Sequence, residues 1–583
     1  MNDANRWLPV LLCAALQTAC SGSRAIPPAQ APAAASLGAA ATQAGIVATV
    51  PDLERLGVRD AGPAARSTVL SLAITLRYRD LARLEALVAQ QTDPGSSHYR
   101  AWLSDAQFNA RFAPTQRVYD GVAQALRGAG FQIDRIYGDR TVLDASAPVA
   151  VIDRFFRTSI HGVAGARQGA AFVNVEPARA PAALAATLLS VDGLDTVISV
   201  HAPYATFAQS PAHHARALTA APAEGKLFGP VSSATGGRGY GPLAFSTAYD
   251  LPVVHAAPTG RYDGSGRASG IVIDADFAEG DLRQFLAYFG IARKGPPTKR
   301  VLVNGGPPHG DAGGDSVEAA LDAETIVGNA PGTALSVYEI PSLKNAQITD
   351  AYNTVVSDNV VDTLNSSFGG CEAGVGASTL KAWNAITMQA ASKGITFHAS
   401  SGDIGGDLCV NAPATLPYVV AVGGTALNVG SGGAWFSEVG WSGSGGGTSS
   451  LFALPAWQSG VAGIDPRGRN VPDVALDADP YTGAAYFYEG TWNSEYNPIG
   501  GTSLSSPIYG AAITEIDQVK KGRVGLGGRS LYSLWSKYGY GSGSSAYFHD
   551  IVQGNSGAFY CTTGYDLVTG IGSVDFWNLA GTI

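Results

Sequence analysis

The sequence predicts two units in tandem: a compact α+β unit of split βαβ character, followed by a larger α/β domain on a mostly parallel sheet. Three observations carry this. At 583 residues the chain is too long for one ordinary domain, and its 46% hydrophobic content is ample for packed cores. Between residues 71 and 195, period-two alternation and helical runs intermix. After Tyr240, apolar strands such as Gly270-Ile271-Val272-Ile273 alternate with helical patterns and Gly-rich loops to the C-terminus. The 73 Gly and 32 Pro suit an enzyme with many functional loops and argue against a helical array.

At the N-terminus, Arg6, the apolar run Trp7 to Leu16 and the small residues after it outline a secretory signal, too short to anchor a mature transmembrane helix. Gln17-Thr18-Ala19-Cys20 also reads as a lipoprotein cleavage box. The two expectations are therefore secretion, or a lipid anchor at Cys20 on the cell envelope. Residues 21 to 45 are Ala/Pro/Ser/Gln-rich without periodicity, a flexible leader.

The first unit begins with the alternation Leu72, Ile74, Leu76. A helix follows from Asp80 through Val88 and stops at Asp93-Pro94-Gly95. Ser104 and Thr115 each precede helical stretches, Phe131 to Leu143 reads as two strands around Tyr137-Gly138-Asp139-Arg140, and Pro148 opens a helix carrying Val151, Ile152, Phe155 and Phe156. No cluster of nucleophile, base and oxyanion donors falls inside this unit, which suits a folding or inhibitory module. From His201 to Arg238 runs an irregular Ala/Gly/Ser/Pro segment, a linker open to proteolysis. Its adjacent His213 and His214 read as a solvated pair rather than a metal site.

A net charge of -9 with only 15% charged residues leaves no basic stripe, which excludes a nucleic-acid partner. Beyond the signal stand Cys371, Cys409 and Cys561, an odd number at spacings that fit no zinc template. A Cys371–Cys409 disulfide with Cys561 as spare thiol is expected, because both partners adjoin segments with chemical promise.

Those segments are three. Gly500-Gly501-Thr502-Ser503 turns tightly into a helix whose positive N-terminal end favours an alkoxide or oxyanion at Ser503, although a Ser/Thr N-cap reads similarly. Asp315-Ser316-Val317-Glu318-Ala319-Ala320-Leu321-Asp322 starts a helix with Glu318 and Asp322 on one face, where burial and like charge raise a carboxyl pKa. Asp315 and Glu318 also have capping-box spacing. Asp403, in Ser401-Gly402-Asp403-Ile404-Gly405-Gly406 after an apolar run, is either a turn former or a protonated acid able to donate to an oxyanion. An acid-side base and an acid-side donor agree on one operating range.

Together, Glu318 with Asp322, Asp403 in Ser-Gly-Asp and Ser503 in Gly-Gly-Thr-Ser resemble, in the same chain order, the catalytic set of the sedolisin/kumamolisin family of serine-carboxyl peptidases. The resemblance extends through Gly445-Gly446-Gly447-Thr448-Ser449, Pro455-Ala456-Trp457-Gln458 and Val471-Pro472-Asp473-Val474-Ala475. In the first unit it covers Asp93-Pro94-Gly95-Ser96 and Tyr99-Arg100-Ala101-Trp102-Leu103. It implies a subtilisin-like catalytic domain preceded by an α+β (split βαβ, ferredoxin-like) prodomain. The expected division is signal 1–20, leader 21–45, prodomain 46–200, cleavable linker 201–238 and catalytic domain 239–583.

The resemblance further implies one structural Ca2+ near the C-terminus, with Asp550 and Asp566 carboxylates and the carbonyls of Ile551, Thr562 and Gly564 as ligands. The expected activity is acid endopeptidase action on proteins and peptides by a secreted monomer, made as a zymogen whose own prodomain is its inhibitor until acid loosens carboxylate contacts. Two departures from the family pattern stand at Asp274, in place of glutamate, and Phe368, in place of tryptophan. The rival enzyme reading is a subtilisin triad of Asp274, His309 and Ser503. An inactive secreted binding scaffold is the other.

Overall fold

The computed structural model describes residues 45–166, 169–197, 200–202, 205–206, 227–230, 238–258, 260–308, 314–406, 409–492, 498–541 and 545–583. The signal and leader up to residue 44, Cys20, His213, His214 and His309 lie outside the described residues.

The first unit is a four-stranded antiparallel sheet. Strand β1 (Val69–Leu76) is followed by helices α1 (Leu81–Gln91), α2 (Asp105–Arg111) and α3 (Gln116–Ala129). Then come β2 (Gln132–Ile136), β3 (Val142–Pro148), α4 (Val149–Phe156) and β4 (Leu188–Asp192). The strand order β2-β3-β1-β4, with helices in both crossovers, is compatible with a split βαβ unit. Helix starts fall where the sequence signals them. Asp80 accepts from Arg83 N, Ser104 and Gln107 close a capping box, and Thr115 accepts from Val118 N. On α3, Tyr119, Val122, Ala123 and Leu126 form one buried stripe at helical spacing, set against Leu72, Ile74, Leu143 and Ile152.

The larger domain is an eight-stranded sheet. Its strands are β5 (Ala268–Ile273), β6 (Lys299–Leu302), β7 (Ala334–Glu339), β8 (Thr363–Ser366), β9 (Thr396–Ser400), β10 (Val419–Val429), β11 (Trp435–Gly440) and β12 (Val474–Asp477). The order is β6-β7-β5-β8-β9-β10-β11, with β12 also on β10; only β11 runs antiparallel. The principal helices are α5 (Gly314–Asn329), α6 (Asn345–Asp358), α7 (Ala377–Ser392) and α8 (Thr502–Val519). Because β5 pairs with β7 on one side and β8 on the other, strand order reverses at β5. A crevice opens there at the strand carboxyl ends, and Asp274, Ser367 and Asp403 all follow strand ends along this edge.

The first unit packs on α6 and α7. Tyr78 OH donates to Gln389 Oε1 at 2.8 Å, and Thr141 Oγ1 to Asn353 Oδ1 at 2.8 Å. Buried Asp192 accepts from Thr349 Oγ1 at 2.9 Å and Thr379 Oγ1 at 2.7 Å. The fully buried Lys393 ammonium reaches Asp105 at 2.6 Å. Apolar packing accompanies these bonds, with Leu84, Leu87, Phe108 and Phe112 set against Ala385 and Met388, so the directional bonds fix register while burial supplies much of the hold.

Candidate active site

Helix α8 starts at Thr502 after Gly501, whose φ of 109° and missing Cβ permit the sharp entry into the helix. Ser503 therefore lies in the first turn, at the positive end of the helix, and is fully buried. Helix α5 packs against α8 and brings Glu318 and Asp322 to the same place, one turn apart and both 0% exposed. It begins at Gly314, so Asp315 sits inside its first turn rather than at the cap. Among the described residues neither carboxyl oxygen of Glu318 has a hydrogen-bond partner within ordinary distance. The capping-box alternative for Glu318 is thereby removed.

Burial pushes the Glu318 carboxyl well above its usual range. Asp322 and then Asp403 push it further, and the Ser503 hydroxyl draws it partly back. Burial raises Asp322 as well, against the Ser367 hydroxyl and the Asn365 amide, which favour its ionised form. These two carboxyls titrate as one unit, since ionising either makes ionising the other harder.

Asp403 follows β9 on a turn opened by Gly402, whose φ is 114°. Its Oδ1 accepts both the backbone N–H and the hydroxyl of Thr502, while its buried Oδ2 has no hydrogen-bond partner among the described residues. Burial lifts its pKa to about 7 despite the two Thr502 bonds. Below that pH the group is a neutral acid with a proton to donate. The loop Gly445-Gly446-Gly447 backs this turn, Gly445 N donating to Gly402 O at 2.7 Å.

The continuation of the first unit lies along the crevice. His201 and Gly369 exchange backbone hydrogen bonds at 3.0 and 2.8 Å, and the short strand Ala205–Thr206 pairs antiparallel with Ile499–Gly500, just before Ser503. A peptide held on both walls in this way is laid out as a substrate would be. Val200, His201, Asp274, Asp315 and Leu343 line a cavity of about 650 Å³ beside it. Phe368 is buried, stacked on Tyr352 with ring centroids 6.4 Å apart, in a cluster with Trp383 and Phe397.

Cys371 and Cys409 form the expected disulfide, and Cys561 is a buried free thiol. The cross-link closes a loop of 38 residues, a constraint worth about 4 kcal/mol on chain-entropy grounds. Next to it, the buried Glu372 carboxylate collects Ser449 Oγ, Ser450 N, Ser450 Oγ and Thr415 Oγ1 at 2.6 to 3.1 Å and so fixes the loop after Gly447. Sequence reading assigned no role to Thr502, Asn365, Ser367 or Glu372. Thr502 stood in the Gly-Gly-Thr-Ser motif and Ser367 beside Phe368 in Ser366-Ser367-Phe368-Gly369; Asn365 and Glu372 are common residue types at unremarkable spacing.

Near the C-terminus, Gly564 N donates to both Asp550 oxygens at 3.2 and 3.3 Å. Asp566 accepts from Thr562 N at 3.0 Å and from Val568 N and Thr569 N at 2.9 and 2.8 Å. The carbonyls of Ile551, Thr562 and Gly564 accept no backbone hydrogen bond among the described residues. Two carboxylates with three uncommitted carbonyls fit a hard cation with oxygen ligands. Among the described residues no group of three or more His, Cys, Asp or Glu is placed to hold a metal ion by side chains alone.

Residues 57–197 match the family model "Pro-kumamolisin, activation domain", and residues 305–530 match "Subtilase family". The chain is 30% identical to sedolisin of Pseudomonas sp. (strain 101) over 550 residues, covering 88% of this chain and 86% of that protein. It is 30% identical to kumamolisin of Bacillus sp. (strain MN-32) over 547 residues, covering 88% and 91%. Tripeptidyl-peptidase 1 of Bos taurus is 26% identical over 563 residues, covering 88% and 91%. The solved structure of Pseudomonas sedolisin, a serine-carboxyl proteinase, superposes with a TM-score of 0.52 at 31% identity over 59% of this chain and 97% of that one. The chain therefore belongs to the sedolisin/kumamolisin family of serine-carboxyl peptidases and carries that family's activation domain ahead of a subtilisin-like peptidase domain.

Proposed function

We propose that this serine peptidase is a secreted, acid-acting endopeptidase in which Ser503 is the nucleophile, Glu318 the general base, Asp322 its tuning partner and Asp403 the oxyanion donor. The observation that carries this reading is the burial of three carboxyls around one helix-terminal serine, where each is held neutral to a higher pH than a free acid. The working form has one proton shared by Glu318 and Asp322 and another on Asp403.

Ser503 Oγ attacks the scissile carbonyl carbon as its proton passes to Glu318, which hands the proton it already carries to ionised Asp322. The carbonyl oxygen, now negative, receives a hydrogen bond from protonated Asp403 Oδ2. Collapse of the tetrahedral intermediate breaks the C–N bond, and the proton on Glu318 goes to the leaving amine. Water then repeats the sequence on the acyl-enzyme, giving its proton to Glu318 and releasing the acid. Asp322 holds negative charge beside Glu318 and makes Glu318 a better acceptor.

The strand pairing of Ala205–Thr206 with Ile499–Gly500 supports autoinhibition by the precursor's own chain, relieved by a cut within 201–238. One structural Ca2+ would be held by Asp550, Ile551, Thr562, Gly564 and Asp566, where its charge would tie two loops together. Secretion rests on the N-terminal signal pattern; no helix among the described residues is long and apolar enough to cross a membrane.

The test pairs two variants of the full-length precursor. Glu318→Ala abolishes self-shortening and casein cleavage between pH 3 and 6, while His309→Ala leaves both nearly intact. The opposite pair of results hands the reaction to a histidine-based triad, and no cleavage by the parent protein at any of these pH values returns the chain to an inactive scaffold.

A further inference from the structure

Behind the dyad, four buried polar side chains from three segments connect in a single line that ends on Asp322. Ser367 Oγ is 2.6 Å from Asp322 Oδ1, Asn365 Nδ2 is 2.8 Å from Ser367 Oγ, Ser506 Oγ is 2.7 Å from Asn365 Oδ1, and His398 Nδ1 is 3.0 Å from Ser506 Oγ. All five residues are at most 1% exposed. Buried polar groups at this depth are costly unless every member is satisfied, so the direction of each bond follows by elimination.

An ionised Asp322 accepts only, so the Ser367 hydroxyl donates to it. Ser367 oxygen then accepts from the Asn365 amide nitrogen, which turns the amide oxygen toward Ser506. Ser506 donates its one proton to that oxygen and must accept from His398. The histidine is thereby fixed as the Nδ1–H tautomer, with Nε2 unprotonated and without a hydrogen-bond partner among the described residues. Burial holds the His398 pKa down at about 3, so the imidazole is neutral across the acidic range and serves as a terminal donor rather than a base. Every donor in the line points the same way, and their dipoles add at Asp322 Oδ1.

We propose that His398, Ser506, Asn365 and Ser367 form a positioning relay that aims aligned hydrogen-bond donors at Asp322 and so places the negative charge of the carboxyl pair on Asp322 and the shared proton on Glu318. This rests on the reading of Glu318 and Asp322 as the base pair. It explains the difference between the two adjacent buried acids: Asp322 Oδ1 is anchored by Ser367, while the hydroxyl that acts on Glu318 is that of Ser503. The charged and titratable groups facing the pair are Asp315 on the same helix and Asp403 from the turn after β9, both acidic. Both raise Glu318 and so favour Asp322 as the ionised member, and the relay adds its donors at Asp322 in the same direction.

The test follows the pH dependence of kcat/KM on a quenched peptide and of self-processing by the full-length precursor, for Ser367→Ala, Ser367→Thr, His398→Leu and His398→Gln. Removing the terminal hydroxyl in Ser367→Ala moves the acid limb to higher pH by about one unit and lowers kcat about tenfold with little change in KM. Ser367→Thr restores the parent profile. His398→Leu shifts the limb in the same direction by less, and His398→Gln recovers part of it. If Ser367→Ala does not fold, Ser506→Ala, one bond further from the dyad, carries the same test. Unmoved acid limbs in Ser367→Ala or Ser506→Ala and in His398→Leu, with thermal stability lowered alike, overturn the relay and leave these residues as core packing. Glu318→Gln in the same assay separates the two claims: an active Glu318→Gln overturns the base-pair reading itself, whereas an inactive one with unmoved relay profiles overturns the relay alone.

Discussion

Thr502 donates twice to Asp403 Oδ1, once from its backbone N–H and once from its hydroxyl, each at 2.7 Å. The nucleophile's chain neighbour thus anchors one oxygen of the carboxyl and leaves the other turned away from both bonds. Gly402 N in turn donates to Thr502 Oγ1 at 3.0 Å, so the turn that carries Asp403 and the helix that carries Ser503 are locked to one another.

From this arrangement Asp403→Ala should lower kcat by about 10² to 10³ with little effect on KM, the range for loss of one oxyanion donor. Asp403→Asn keeps an N–H donor that does not ionise. Its activity should therefore lose the decline that the parent shows as pH rises through about 7, where Asp403 gives up its proton. An Asp403→Asn profile with the parent's alkaline decline intact would falsify the role assigned to this acid.

The contact between the two units responds to pH in the opposite sense to a simple acid release. Buried Asp144, from the first unit, and Asp350, on α6, are neighbours. Burial lifts Asp144 from its ordinary value to about 6 against the hydrogen bond from Asp350, and burial together with Asp144 lifts Asp350 well above its own. Around them stand Arg135 and Asp134, Tyr137 OH donating to Asp144 at 3.0 Å, and Asn304 donating to Asp350 at 2.6 Å. A carboxyl with a raised pKa in the assembled state stabilises that state fully below its ordinary pKa and progressively less as pH rises toward the raised one. Acid therefore tightens this contact, and protonation of Asp144 and Asp350 does not by itself free the first unit.

Asp144→Asn in a Ser503→Ala precursor should accordingly raise stability at pH 7 by on the order of 2 kcal/mol, seen as a higher thermal midpoint, and change it little at pH 4. Thermal melts at the two pH values check this. A larger gain at pH 4 than at pH 7 would reverse the sign argued here.

At the C-terminal site, chelation should lower the midpoint of the mature enzyme by roughly 5 °C, and added calcium should restore it. Asp550→Asn should remove that dependence. Indistinguishable melts with chelator and with calcium would mean that the uncommitted carbonyls of Ile551, Thr562 and Gly564 hold no cation.

Much of the architecture was legible in the chain because local rules decide it. The caps at Asp80, Ser104 and Thr115, the Gly501 entry to α8 and the strand through Ile271 each depend on residues within a few positions. The disulfide partners were legible by their neighbourhood. The helical spacing of Glu318 and Asp322 was legible too, but whether Glu318 caps a helix or faces a serine was not.

The sequence by itself determined which chemistry is available: a serine at a helix start, two acids on one helical face, and a third acid on a glycine turn. Only the tertiary structure decided how those groups are charged. The Thr502 bonds to Asp403 and the Ser367 bond to Asp322 join residues 99 and 45 positions apart, and no local pattern encodes them or the desolvation around them. A carboxyl's pKa depends on what surrounds it in space, so the working protonation state belongs to the fold.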